Sequence, residues 1–183
     1  MRIIGGEYRS RLIQMPKDAE VRPTQDRVRE AIFNILGDVN GKNVLDIFAG
    51  SGAFGLEAIS RGANHATFVD NNAKSIDAIK ANIESLNIEE YRYDVYRGNA
   101  FAMLPRLEKE GAMFDLVFQD PPYYKELARK CLICLDCYDI LTPDALIVVE
   151  HFNKDSLEAD LETLLIEKEK VYGDKLITIF RKT

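Results

Sequence analysis

Apolar residues recur along this chain in two rhythms. Val44, Leu45, Ile47 and Phe48 form a short run of the kind a strand buried on both faces needs. Similar runs at 66–70, 94–97, 114–119 and 145–150 predict further strands. Between them lie stretches of helical spacing, at about 53–61, 72–86, 101–109, 125–135 and 156–165. In the second, Ile76, Ile79, Ile83 and Leu86 fall on one face; the third must accommodate Pro105. The chain closes with strands at 166–172 and 176–181, joined at Gly173-Asp174, which read as an antiparallel hairpin on the sheet edge. Such alternation predicts an α/β fold: a mostly parallel, seven-stranded sheet with helices on both faces.

The first forty residues follow another pattern. Residues 1–16 read as a short β-hairpin broken at Gly5-Gly6 and stopped by Pro16, and 17–22 as a polar loop. A helix follows, with Thr24 as candidate N-cap and Val28, Ala31, Ile32, Ile35 and Leu36 on one face. The chain therefore divides into a small hairpin-plus-helix extension, residues 1–40, and a main domain, residues 41–183.

Composition adds two facts. The net charge of −6 speaks against a nucleic-acid partner, but residues 1–30 carry seven basic and five acidic side chains. An arginine-rich end on an acidic body fits local phosphate contacts; solvated surface charge is the alternative. No apolar run is long enough to span a bilayer, so no membrane partner is expected. The opening six residues lack a signal peptide's apolar region, and three cysteines fit a reducing compartment, so a cytoplasmic location is expected.

Candidate chemistry gathers in loops that follow strands. Right-handed crossovers bring these loops to one rim of the sheet. They are Asp46 to Gly52, Asp70, Asn99-Ala100 and Asp120 to Tyr123. Gly50-x-Gly52-x-x-Gly55 fits a dinucleotide fingerprint, with Asp70 placed to hold a ribose. NAD and S-adenosylmethionine both satisfy it. Asp120-Pro121-Pro122-Tyr123 separates the two. Consecutive prolines stiffen the backbone, so Asp120 and a proline carbonyl can aim acceptors at an exocyclic –NH2 group. Tyr123 offers a face on which a base can stack, worth about 1–3 kcal/mol.

Asp46-Ile47-Phe48-Ala49-Gly50-Ser51-Gly52 together with Asp120-Pro121-Pro122-Tyr123 resembles the class I S-adenosylmethionine-dependent amino-methyltransferases, whose fold is Rossmann-like. Arg2-Ile3-Ile4-Gly5-Gly6, Arg22-Pro23-Thr24-x-x-Arg27-Val28-Arg29-Glu30, Gly55-Leu56-Glu57-Ala58-x-Ser60-Arg61-Gly62-Ala63 and Tyr172-Gly173-Asp174 are similar to the bacterial family that methylates N2 of guanine 966 in 16S ribosomal RNA. Gln119 departs from the apolar or small residue usual there. The resemblance implies a catalytic group of Asp120, Pro121, Pro122 and Tyr123. It implies S-adenosylmethionine held by Asp46, Phe48, Ala49, Gly50, Ser51, Gly52, Asp70, Asn71, Asn99 and Ala100, with Asn99 beside the adenine. It implies a partner, 16S rRNA in the small subunit or an assembly intermediate, contacted near Arg2, Gly5, Gly6, Arg22, Thr24, Arg27 and Arg29. A monomer is expected. The alternatives are an amino-methyltransferase acting on adenine N6 of RNA or DNA, a non-catalytic RNA-binding module, and an NAD oxidoreductase.

Cys131, Cys134 and Cys137 have spacing that a metal could use, but a packed helix explains them better, and no metal is expected. His65 and His151 read as structural. The run Tyr91-Arg92-Tyr93 with Tyr96-Arg97 reads as a strand edge rather than a stacking platform.

Overall fold

The computed structural model describes residues 1–16, 24–122, 126–152, 157 and 159–183, with the side chains of Thr24 and Gln25 excepted. Seven strands form one sheet: β1 (Asn43–Ile47), β2 (His65–Asp70), β3 (Tyr93–Arg97), β4 (Phe114–Gln119), β5 (Leu141–Phe152), β6 (Leu164–Tyr172) and β7 (Lys175–Lys182). Their order is β3-β2-β1-β4-β5-β7-β6. The first five are parallel; β7 runs antiparallel to both β5 and β6. The expected mostly parallel sheet with a closing hairpin is what forms.

Two apolar clusters, one on each face, hold the layers together. Val44, Phe68, Leu116 and Phe118 point to the face covered by α1 (Thr24–Leu36), α2 (Ala53–Ser60) and α3 (Ala73–Leu86). Their strand neighbours Leu45, Val69 and Val117 point to the other face, under α4 (Ala100–Lys109) and α5 (Leu127–Cys137). The alternation follows from the two-residue period of a strand. Pro105 sits inside α4, as the sequence requires. Cys131 is buried within α5, Cys134 half-buried and Cys137 exposed, as a packed helix presents three residues along its side.

Residues 1–13 form a hairpin with a single bridge, Arg2 opposite Leu12. Ile3 and Ile13 join the same apolar cluster as α1 and α2. One expectation fails. Residues 157 and 159–163 are not helical, and Leu164 and Leu165 already belong to β6. Asp136, near the end of α5, draws this segment in: its carboxylate accepts the Glu162 N–H at 2.6 Å and the Thr163 N–H at 2.9 Å. Backbone donors used this way feed an extended chain into the sheet. β5 is also longer than expected and begins with Leu141-Thr142-Pro143, beside a register irregularity against β4.

Candidate active site

The carboxyl ends of β1, β4 and β5 open into a cleft of about 520 Å³. That volume suits a cofactor-sized ligand. Asp46, the 48–51 turn and Asp120 all line it. Two regions named from sequence, the glycine turn and the acidic end of β4, therefore share one cavity.

The turn after β1 is a run of unusual backbone. Phe48 has φ 65°, Gly50 57° and Gly52 76°, all in the left-handed region. Glycine occupies that region freely, whereas a side chain such as Phe48 enters it only under constraint. The constraint is visible. The Ala49 N–H donates to the Val69 carbonyl at 3.0 Å, and the Gly52 N–H to Ala49 at 2.7 Å. The Phe48 ring packs edge-on against Phe101 at 6.5 Å, tying the turn to α4. Gly55 has a second reason to be glycine: a Cβ there would lie 2.3 Å from the Phe68 ring. That close contact lets α2 sit down on β2.

Two carboxylates brace the turn from either side. Asp46 is 3% exposed and accepts the Gly55 N–H at 2.9 Å. Burial pushes its carboxyl up to about 8, although the Gly55 N–H pulls the other way and Asp70 adds to the rise. Asp70 accepts from Gly50 N–H at 2.9 Å through one oxygen and from Asn72 N–H at 2.8 Å through the other. Asn71 is exposed beside it. Asn99 caps α4 by accepting the Phe101 N–H at 2.9 Å, and Ala100 is buried. Asp70, Asn71, Asn99 and Ala100 thus stand at the ends of β2 and β3, farther along the rim.

At the end of β4, Pro121 is buried and Pro122 exposed. Tyr123 lies outside the described residues, as do Arg22 and the side chain of Thr24. Gln119 is buried and donates to the Ala128 carbonyl at 2.6 Å. Its side chain therefore joins the two ends of the Asp120 loop, which an apolar residue could not do.

The proposed RNA contacts fall into two groups. Arg2 and Arg27 are exposed. Arg29 is not: it is 2% exposed, donates to the Asp26 carboxylate at 3.1 Å and to the Arg2 carbonyl, and lies 3.5 Å from Glu57. It is a buried, partnered side chain on the wall of the cleft rather than an exposed one. Gly5 and Gly6 are also committed to packing. A Cβ on Gly6 would stand 1.7 Å from the Ser60 carbonyl oxygen, and one on Gly5 2.7 Å from the Arg61 guanidinium.

Three polar residues that matter here were missed as site residues. Glu57, wholly buried, accepts the N–H groups of Ile4 and Gly5, both at 2.8 Å, and the Arg61 Nε–H at 2.7 Å. Asn82, also buried, bonds Gln14 through both its backbone N–H and carbonyl, and donates to the Ser51 carbonyl at 3.0 Å. It joins the amino-terminal segment to the glycine turn. Its one signal in sequence is a polar residue on the inward stripe of α3, next to Ile83. Glu150, at the end of β5, lines the cleft beside Asp120.

An open sheet of this order, with this turn and an acidic Asp120-Pro121-Pro122 exit from β4, defines a class I methyltransferase fold. The chain belongs to the family described as conserved hypothetical protein 95, whose model matches residues 1–181. It is 34% identical to ribosomal RNA small subunit methyltransferase D of Escherichia coli K12, over 100% of this chain and 90% of that protein. It is also 34% identical to the protein of the same name from Haemophilus influenzae, over 94% of this chain and 89% of that one. The solved structure of yhhF from Escherichia coli superposes with a TM-score of 0.85 at 33% identity, covering 100% of this chain and 97% of that one.

Proposed function

We propose that this protein transfers a methyl group from S-adenosylmethionine to the N2 amine of a guanine in 16S rRNA, guanine 966 by family. The observation that carries this reading is the shared cleft: Asp120 and the 48–51 turn line one cavity. The fit to the cofactor rests on the turn's backbone. At Gly50 a Cβ would meet nothing within 4 Å, leaving open space at the main chain, and Asp46 and Asp70 already orient the turn. Asp46 faces the cofactor's ammonium and Asp70 its ribose, with Asn99 toward the adenine. When bound, the cofactor supplies a methyl group activated on sulfonium.

The remaining work belongs to the chain. Guanine N2 is a poor nucleophile because its lone pair is delocalised into the ring. Asp120 and the Pro121 carbonyl accept its two hydrogens and turn that lone pair toward the methyl. Asp120 then takes the proton released on bond formation. Orientation supplies most of the acceleration. The target base leaves its stack to reach the cleft. Residues 1–40 face the RNA, with Arg2, Arg22 and Arg27 as phosphate contacts, since a guanidinium matches phosphate with paired donors. The substrate is the small subunit or an assembly intermediate, the protein acts as a monomer, and the location is cytoplasmic.

The test is incorporation of labelled methyl into small subunits that lack the modification, followed by mapping of the nucleotide. Asp120→Ala lowers transfer by about 100-fold or more while cofactor affinity stays nearly constant. Equal loss of both would contradict the role given to Asp120.

A further inference from the structure

Glu150 is a buried carboxylate in the cleft that the proposed chemistry does not use. β4 and β5 pair in parallel, with Phe118 opposite Val148 and Gln119 opposite Val149. Asp120 and Glu150 follow directly on the last pair of that ladder, Gln119 and Val149, on neighbouring stretches of chain about 4.8 Å apart in a sheet. Both line the cleft. Glu150 is 5% exposed, and its Oε1 forms an ion pair with Lys175, itself buried on β7. An ionised carboxylate has about four acceptor sites, so a ligand donor can join the partners this side chain already has, Lys175 among them. A buried ion pair also fixes the carboxylate in place.

Two acceptors side by side call for a ligand edge with adjacent donors. The Watson–Crick edge of guanine has them: N1–H next to N2–H. Adenine presents an acceptor, N1, where guanine has N1–H. We propose that Glu150 is the residue that selects guanine, accepting the N1–H while Asp120 accepts from N2. This assignment rests on the function proposed above. An acceptor facing N1 rejects any base whose N1 is a lone pair, because both groups then lose their partners. Glu150 is a specificity residue and holds no proton of the transfer.

The probe is a small subunit reconstituted with 16S rRNA that carries either guanine or 2-aminopurine at the target position. Both bases carry the 2-amino group; only guanine has N1–H. The wild-type protein is expected to favour guanine by about tenfold or more in kcat/KM. In Glu150→Gln the amide can donate to N1 of 2-aminopurine, so the ratio of the two substrates falls by about tenfold. A ratio unchanged in the variant would overturn the assignment and leave Glu150 as the structural partner of Lys175. Equal use of both bases by the wild-type protein would overturn it without any variant. If the wild-type protein methylates neither RNA, the proposed function itself fails and takes this assignment with it. Transfer to guanine at an unchanged ratio sinks the assignment alone.

Discussion

Residues 1–15 and strand β1 both reach the cleft, but different forces deliver them. β1 arrives inside the sheet, with Val44, Leu45 and Ile47 fully buried between two layers of helices. Its position follows from apolar area removed from water, which is non-directional and tolerant of detail. Only Ile3 and Ile13 of the amino-terminal segment are buried apolar anchors. Met1 and Tyr8 pack on the same cluster half-buried, and much of the remaining attachment is polar: Glu57 holds Ile4 and Gly5, Ser60 holds Gly5 and Tyr8, and Asn82 holds Gln14. Such bonds contribute modestly when made and cost heavily when one side is lost. The contrast teaches that the segment carrying the family-specific residues is the more brittle of the two.

Glu57 gives the widest opening to break it. Glu57→Ala would strand two backbone N–H groups and leave Arg29 and Arg61 without their shared carboxylate, with Arg29 buried. Removing one partner of a buried ion pair costs about 3–5 kcal/mol. Urea unfolding should show that loss. A loss under about 1 kcal/mol would mean that the segment does not depend on this group. Gly6→Ala comes next. Its φ of 74° and the 1.7 Å approach to Ser60 leave no room for a methyl, so about 3 kcal/mol is expected. Limited proteolysis would show whether residues 1–15 detach while the sheet stays folded; intact protection would deny the contrast.

The same contrast explains what the sequence made readable. Strand and helix positions in the main domain followed from apolar period, because burial on a sheet face repeats every second residue and on a helix every third or fourth. The Asp46 to Gly52 turn was readable because its glycines are needed for backbone reasons. The failures are polar. Nothing in the sequence marks Arg29 as buried, since charge normally lies at a surface, yet Glu57 and the Arg2 carbonyl draw it inside, where it lines the cleft. Residues 156–165 looked helical because their spacing is helical, yet Asp136 captures the Glu162 and Thr163 N–H groups. Such bonds join residues far apart in sequence and leave no period. Glu150 was missed for a related reason: it lies near the end of a strand like any other, and only the fold brings it to the same cleft as Asp120.

Asn82→Leu sharpens the comparison with a smaller effect. It removes the donor to the Ser51 carbonyl and both bonds to Gln14, at about 1–3 kcal/mol of stability. Because Ser51 belongs to the glycine turn, cofactor affinity should fall as well, measured by calorimetry. Loss of stability with unchanged affinity would show that the turn holds its shape without the amino-terminal segment.

Asp46→Asn tests the turn alone and has the least effect on stability at low pH, below about 4. Burial raises the Asp46 carboxyl from its ordinary 3.8 to about 8. The native state then binds a proton that the unfolded chain has released, so this group favours folding at low pH. Its contribution is complete below about pH 4 and is lost as pH rises through about 8. The variant should melt close to the wild type below about pH 4 and progressively above it as pH rises from about 4 to about 8. A ligand ammonium beside Asp46 reverses the balance by favouring the ionised carboxylate. Cofactor binding at pH 7 should therefore release up to about one proton. Calorimetry in two buffers of different ionisation heat would measure that release. It should vanish in the variant; the same release from both proteins would move the ammonium away from Asp46.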